Sequence, residues 1–66
     1  MSREEIIRLL RENLNKPVRV TFADGESLRL MPLTCEADGF VFDLATAEDI
    51  VNWMSFDEVA SVVADV

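Results

Sequence analysis

The sequence contains no histidine, one cysteine, two glycines and two prolines. Each shortage closes off a class of chemistry. Without histidine there is no Ser-His-Asp or Cys-His catalytic arrangement and no His-containing zinc site. Cys35 is alone, so no intrachain disulfide forms and a disulfide-built secreted scaffold is excluded. The thiol reads as a small residue at a strand edge or in the core rather than as a reactive group. With only Gly25 and Gly39 there is no glycine-rich loop to cradle a phosphate. No apolar run approaches the roughly 20 residues of a membrane span, and the N-terminus lacks the apolar block of a signal peptide. The expectation is a soluble, cytoplasmic chain without a membrane partner.

Cations are missing from more than half of the chain. Residues 1–29 hold all six, Arg3, Arg8, Arg11, Lys16, Arg19 and Arg29, against five acids, for a net charge of +1. Residues 30–66 hold eight acids and no cation, and the whole chain carries −7. Nucleic-acid binders need a basic stripe to displace counterions, so this balance disfavours nucleic acid as a partner. It suits a solvated acidic surface, or an acidic face that recognises a basic protein or the basic half of a neighbouring copy.

Sixty-six residues, half of them hydrophobic, make one domain, 1–66, and exclude intrinsic disorder. A chain this short removes only about 60% of its unfolded surface from water, so self-association would help it. The clearest local signal is Val18 to Leu30. Val18, Val20 and Phe22 alternate with Arg19 and Thr21, Asp24-Gly25 marks a tight reversal, and Leu28 and Leu30 face inward on the returning strand.

Ahead of the hairpin, Ser2 and Glu5 form a capping box, and Ile6, Ile7, Leu10 and Leu14 follow at helical spacing. Glu4 with Arg8 and Arg8 with Glu12 are suitable ion pairs for an outer face. The helix is predicted over 1–16, ended by Asn13, Asn15 and Pro17, with Leu9 as an exposed singleton off the stripe. After the hairpin, Met31-Pro32-Leu33 bends or interrupts the second strand. Gly39 is the expected positive-φ residue of a second turn, and Phe40, Phe42 and Leu44 line the core face of a third strand. Ala45 to Asp49 reads as a polar connection and Ile50 to Ser55 as a fourth strand apolar on both faces. One tight turn, Phe56 to Val59, and a short last strand, Ala60 to Ala64, complete the chain.

This order predicts a mainly β chain with one N-terminal α-helix, 17–66 forming a small, strongly bent, five-stranded antiparallel SH3-like barrel. Val20, Phe22, Leu28, Phe40 and Phe42 would fill it. The adjacent carboxylates Glu48-Asp49 and Asp57-Glu58 diverge in direction and read as solvated turn acids rather than as general acid and base. Glu36 and Asp38 offer too few oxygens for Ca²⁺. The expectation is therefore a non-enzymatic chain that needs no cofactor and no metal. Trp53 reads as a cover for the core, with a stacking platform or an interface anchor as its other roles. Val51, Trp53, Met54, Asp57 and Glu58 are the candidate interface.

From Val18 onward the chain resembles the Sm-like family, most closely its bacterial Hfq branch. The resemblance lies in Val20 to Phe22, the Asp24-Gly25 turn, Leu28, Phe40 to Leu44 and the closing Val59 to Val63. It implies a helix before a five-stranded barrel, and relatives of this kind often form rings, so a homo-oligomer is expected. It departs where that branch carries a Tyr-Lys-His segment that helps bind uridine-rich RNA, because Ser55, Phe56 and Asp57 stand there. The family's bend glycine aligns with Leu30, which moves the bend towards Pro32. The acidic half is also similar in character to the small Sm-like inhibitors of termination factor Rho, which use acidic residues against a basic surface. Two functions follow: a protein-interaction module with an acidic face, or an RNA-binding ring that uses the cations of the N-terminal half.

Overall fold

The structure, a computed structural model, describes residues 1–44 and 51–65, with only the backbone of Val51. The expected connection Ala45 to Asp49, the start of the fourth strand at Ile50, and the Glu48-Asp49 pair lie outside the described residues. Among the described residues, no helix is long and apolar enough to cross a membrane.

Helix α1 spans Arg3–Glu12 and starts as its capping box predicts. The Ser2 hydroxyl accepts a bond from the Glu5 N–H at 3.2 Å and donates to the Glu5 carboxylate at 3.2 Å. The helix stops four residues before the expected end. The Asn13 side chain donates to the Leu9 carbonyl at 2.7 Å, and Asn15 takes a left-handed conformation with φ 63°. The Asn15 N–H then donates to the Pro32 carbonyl at 2.7 Å, fastening the end of the helix segment to the sheet. Ile6 and Leu10 are buried. Leu9, expected to be exposed, is half-buried and packs against the core, because the helix meets two walls of the sheet and its apolar stripe is wider than one row. Glu4–Arg8 and Arg8–Glu12 do not approach to ion-pair distance; these exposed side chains gain little from pairing in water.

The strands are β1 Val18–Phe22, β2 Ser27–Cys35, β3 Gly39–Leu44, β4 Val51–Ser55 and β5 Val59–Ala64. A single 3₁₀ turn, Phe56–Glu58, joins β4 to β5. All ladders are antiparallel, and the order across the sheet is β4-β3-β2-β1-β5. The sheet is not closed into a barrel: β4 and β5 are its two ends and form no ladder with each other among the described residues. The 3₁₀ turn links these two ends instead, and α1 packs on it. The helix caps the concave side by packing on β5, β2 and the turn.

The hairpin loop has three residues, Ala23, Asp24 and Gly25. The Gly25 N–H donates to the Phe22 carbonyl at 3.0 Å and the Phe22 N–H to the Glu26 carbonyl at 2.7 Å. Gly25 sits at φ 93°, the positive-φ corner that a three-residue hairpin requires. The Asp24 carboxylate accepts the Glu26 N–H at 3.0 Å and closes the turn locally. Gly39 does not take positive φ. It is there for space: a Cβ would collide with the Met54 carbonyl and the Trp53 ring. Pro32 lies within a continuous β2, and the β2–β3 register shifts between Pro32 and Thr34, so the bend is a bulge at Leu33.

Phe40 is fully buried, with the Phe42 ring 5.4 Å away and the Phe56 ring stacked at 6.0 Å. Val18, Val20, Leu30, Val59 and Val62 of the sheet and Ile6 and Leu10 of the helix are buried in the same core. Two expected core residues lie outside it. Phe22 is only half-buried, and Leu28 is 37% exposed. Leu28 alternates onto the inner face, where Val20 of β1 is its partner, and the described β2–β3 ladder begins two residues further on, at Leu30.

Candidate interaction site

Where the sheet stays open, a groove of about 460 Å³ lies between the hairpin tip and the end of β4. Phe22 and Met54 give it apolar walls, Ala23 lies between, and Asp24, Asp57 and Glu58 carry its charge. The alternation of β4 explains the placement of Met54. It pairs with Phe40 on the inner face, whereas Trp53 pairs with Val41 on the outer face.

The rim is held by backbone contacts that join segments distant in sequence. The Ala23 N–H donates to the Glu58 carbonyl at 3.0 Å, which ties the hairpin tip to the 3₁₀ turn. The Phe56 N–H donates to the Asp38 carbonyl at 3.1 Å, and the Ser55 hydroxyl accepts the Asp57 N–H at 3.2 Å. Ser55 thereby caps the turn as an N-cap, so that Asp57 and Glu58 project from a fixed backbone. Phe56 anchors the turn from below as a core residue.

Arg3 marks one end of this surface. Its Nη1 donates to Asp57 Oδ1 at 3.1 Å, its Nη2 is 4.0 Å from Asp38 Oδ1, and its guanidinium carbon lies 5.9 Å from the Phe56 ring centroid. The chain thus already seats one guanidinium between two carboxylates and an aromatic ring.

The five candidate interface residues divide between two faces. Met54, Asp57 and Glu58 line the groove. Trp53 is on the other face of β4, 53% exposed, with its Nε1 donating to Glu36 Oε1 at 2.9 Å and its ring over Gly39. The side chain of Val51 lies outside the described residues. Phe22, Ala23 and Asp24 belong to the groove although the sequence assigned Phe22 to the core and Asp24 to a turn. Only the approach of the hairpin tip to the 3₁₀ turn reveals their shared position, and no local pattern encodes it.

The cations do not gather on one face. Arg29 is paired with Asp65 at 2.6 Å, and Arg19 is its cross-strand neighbour on the outer side of the sheet. Arg8 and Arg11 share a helix depression with Glu4 and Glu12. Cys35 is half-buried opposite Phe40, and burial pushes its thiol up from the ordinary value of 9.0 despite the charge and hydrogen bond of Arg11. One Asp43 carboxylate oxygen is buried on the outer face without a hydrogen-bond partner among the described residues. Among the described residues no group of three or more Cys, Asp or Glu is placed to hold a metal ion. In comparisons with known proteins, no family model, no curated protein and no solved structure matches the chain.

Proposed function

We propose that the chain is a non-enzymatic protein-interaction module of Sm-like type whose acidic open end binds a basic protein partner. The observation that carries this reading is the groove itself, where Asp24, Asp57 and Glu58 surround the apolar Phe22 and Met54; none of the described lining residues is a cation, and Arg3 reaches the rim only at Asp57. Apolar walls supply contact area, and a charged rim supplies selectivity and a fast encounter. The helix-first order, the five-stranded antiparallel sheet and the 3₁₀ turn before the last strand support the Sm-like assignment. The scattered and partly paired cations favour a protein over RNA, since a polyanion needs a continuous basic track.

The test is retention of partners from host lysate on the immobilised full chain, with Asp57→Lys and Trp53→Ala variants in parallel. A protein retained by the wild type and lost with Asp57→Lys is the expected outcome. Retention of RNA that weakens steeply with salt would instead establish the RNA-binding ring.

Self-association is a second reading favoured by the sheet ends. Among the described residues β4 and β5 each have a neighbour on one side only, and neither Val51–Ser55 nor Val59–Ala64 contains a charged residue or a proline. Edges without such guards are natural pairing sites. Light scattering across a concentration series would report the homo-oligomer, and a monomer at the highest concentration would remove it.

A further inference from the structure

The groove has chemistry specific enough to name its occupant, and the inference rests on the protein-interaction reading above. We infer that it docks a segment of another protein in which an arginine stands beside a large apolar side chain. The apolar side chain would lie between Phe22 and Met54, which are half-buried and form part of the groove lining. Burying such a side chain against them removes apolar surface from water on both partners.

The cation follows from the rim. Asp24 and Glu58 both line the groove beside the seam that the Ala23 to Glu58 hydrogen bond holds together, and both are exposed residues. Asp24 spends one oxygen on the Glu26 N–H, and among the described residues no ion pair engages Asp24 or Glu58. Asp57, by contrast, is already engaged by Arg3. The arrangement of Arg3 shows which cation such a surface takes, because its planar group reaches two carboxylates while lying near the Phe56 ring. A guanidinium can do the same between Asp24 and Glu58 near Phe22; an ammonium, as a point charge, cannot fork between two acceptors in this way. Charge complementarity selects a basic segment, and the apolar walls reject a cation that arrives alone.

The experiment titrates the full chain into two labelled peptides, Leu-Arg-Phe-Arg-Leu and Gly-Arg-Gly-Arg-Gly, and reads fluorescence anisotropy. The first should bind at least about tenfold tighter than the second, a ratio worth about 1.4 kcal/mol. The double variant Asp24→Asn with Glu58→Gln should weaken the first peptide by about tenfold. Asparagine retains the oxygen that accepts the Glu26 N–H, so the turn persists, and an unchanged circular dichroism melt verifies it. Equal binding of the two peptides, or an unchanged affinity in the double variant, overturns the inference. So does a self-association that the double variant abolishes, because a second copy is then the occupant. The inference and the wider reading fail separately. If neither peptide binds but a lysate partner is retained equally by wild type and double variant, the groove assignment falls and the interaction module stands. Absence of both peptide binding and retention removes the two together.

Discussion

Strands β1 and β2 pass through two different environments along their length. At one end Val18 and Leu30 pair with each other under the helix, and both are fully buried. Past the Val20–Leu28 pair, with Leu28 37% exposed, Phe22 is half-buried at the groove. The alternation of apolar residues is equally regular throughout. What differs is the cover, since Ile6 and Leu10 of α1 are part of the buried core while a groove remains at the seam among the described residues. A period-two pattern therefore tells which side chains share a face, and the neighbouring layer decides which of them leave water.

The strongest way to break the comparison is to remove the cover. Leu10→Ala empties a fully buried position between helix and sheet and should cost about 2–5 kcal/mol, measured by urea denaturation. The equivalent change at the open end, Leu28→Ala, should cost less than about 1 kcal/mol because the side chain already meets water. Equal losses would mean that the two ends are packed alike. Next in size is Gly39→Ala. Its new Cβ would push against the Met54 carbonyl, a backbone group that cannot swing aside, and against the Trp53 ring. A loss of about 1–3 kcal/mol is expected, together with a shifted tryptophan fluorescence maximum as the ring leaves Gly39. An unaltered spectrum would count against the close packing of β3 and β4.

The sequence made legible whatever is decided within a few residues. Ser2 and Glu5 start the helix, Asp24-Gly25 turns the hairpin, and Phe40 and Phe42 point into the core. Pro32 marks the neighbourhood of the bulge, and Phe56 opens the expected tight turn. The rest depends on contacts between distant segments. Whether β4 meets β5 decides between a closed barrel and an open sheet, and the alternation of each strand is the same in both. Leu28 followed its strand pattern onto the inner face beside Val20, yet it lies beyond the described β2–β3 ladder and is 37% exposed. Leu9 and Phe56 joined the core through the width of the helix contact and the aromatic stack. The candidate site was half legible for the same reason. Met54, Asp57 and Glu58 lie within five residues of one another in sequence, while Phe22 and Asp24 come to them through the approach that the Ala23 to Glu58 bond fixes.

Cys35 provides a smaller effect that depends on pH. Burial raises its thiol above the ordinary value of 9.0, although Arg11 pulls the other way. In the unfolded chain the thiol ionises first as pH rises, so the contribution to stability is complete below the unfolded value and is lost as pH climbs through the folded one. Wild type should therefore lose stability above about pH 9, and Cys35→Ala should lack that component of the decline. Thermal melts of both proteins between pH 7 and pH 10 give the comparison. Identical slopes would show that the thiol ionises alike in both states.

The smallest stability change is expected at Arg3, and it refines the contrast between closed and open ends. The Arg3 and Asp57 side chains are 49% and 77% exposed, so their pair is screened by water and contributes at most about 1 kcal/mol. Arg3→Ala should barely move the melting temperature. Its effect belongs to the groove, where Asp57 loses its paired cation and the rim becomes more attractive to a cation from outside. Affinity for Leu-Arg-Phe-Arg-Leu should rise by about two- to threefold at low salt, and the gain should shrink as added salt shortens the reach of the charge. A weaker complex would mean that Arg3 holds the groove in its binding shape rather than competing for Asp57, and the open end would then depend on the helix as much as the closed end does.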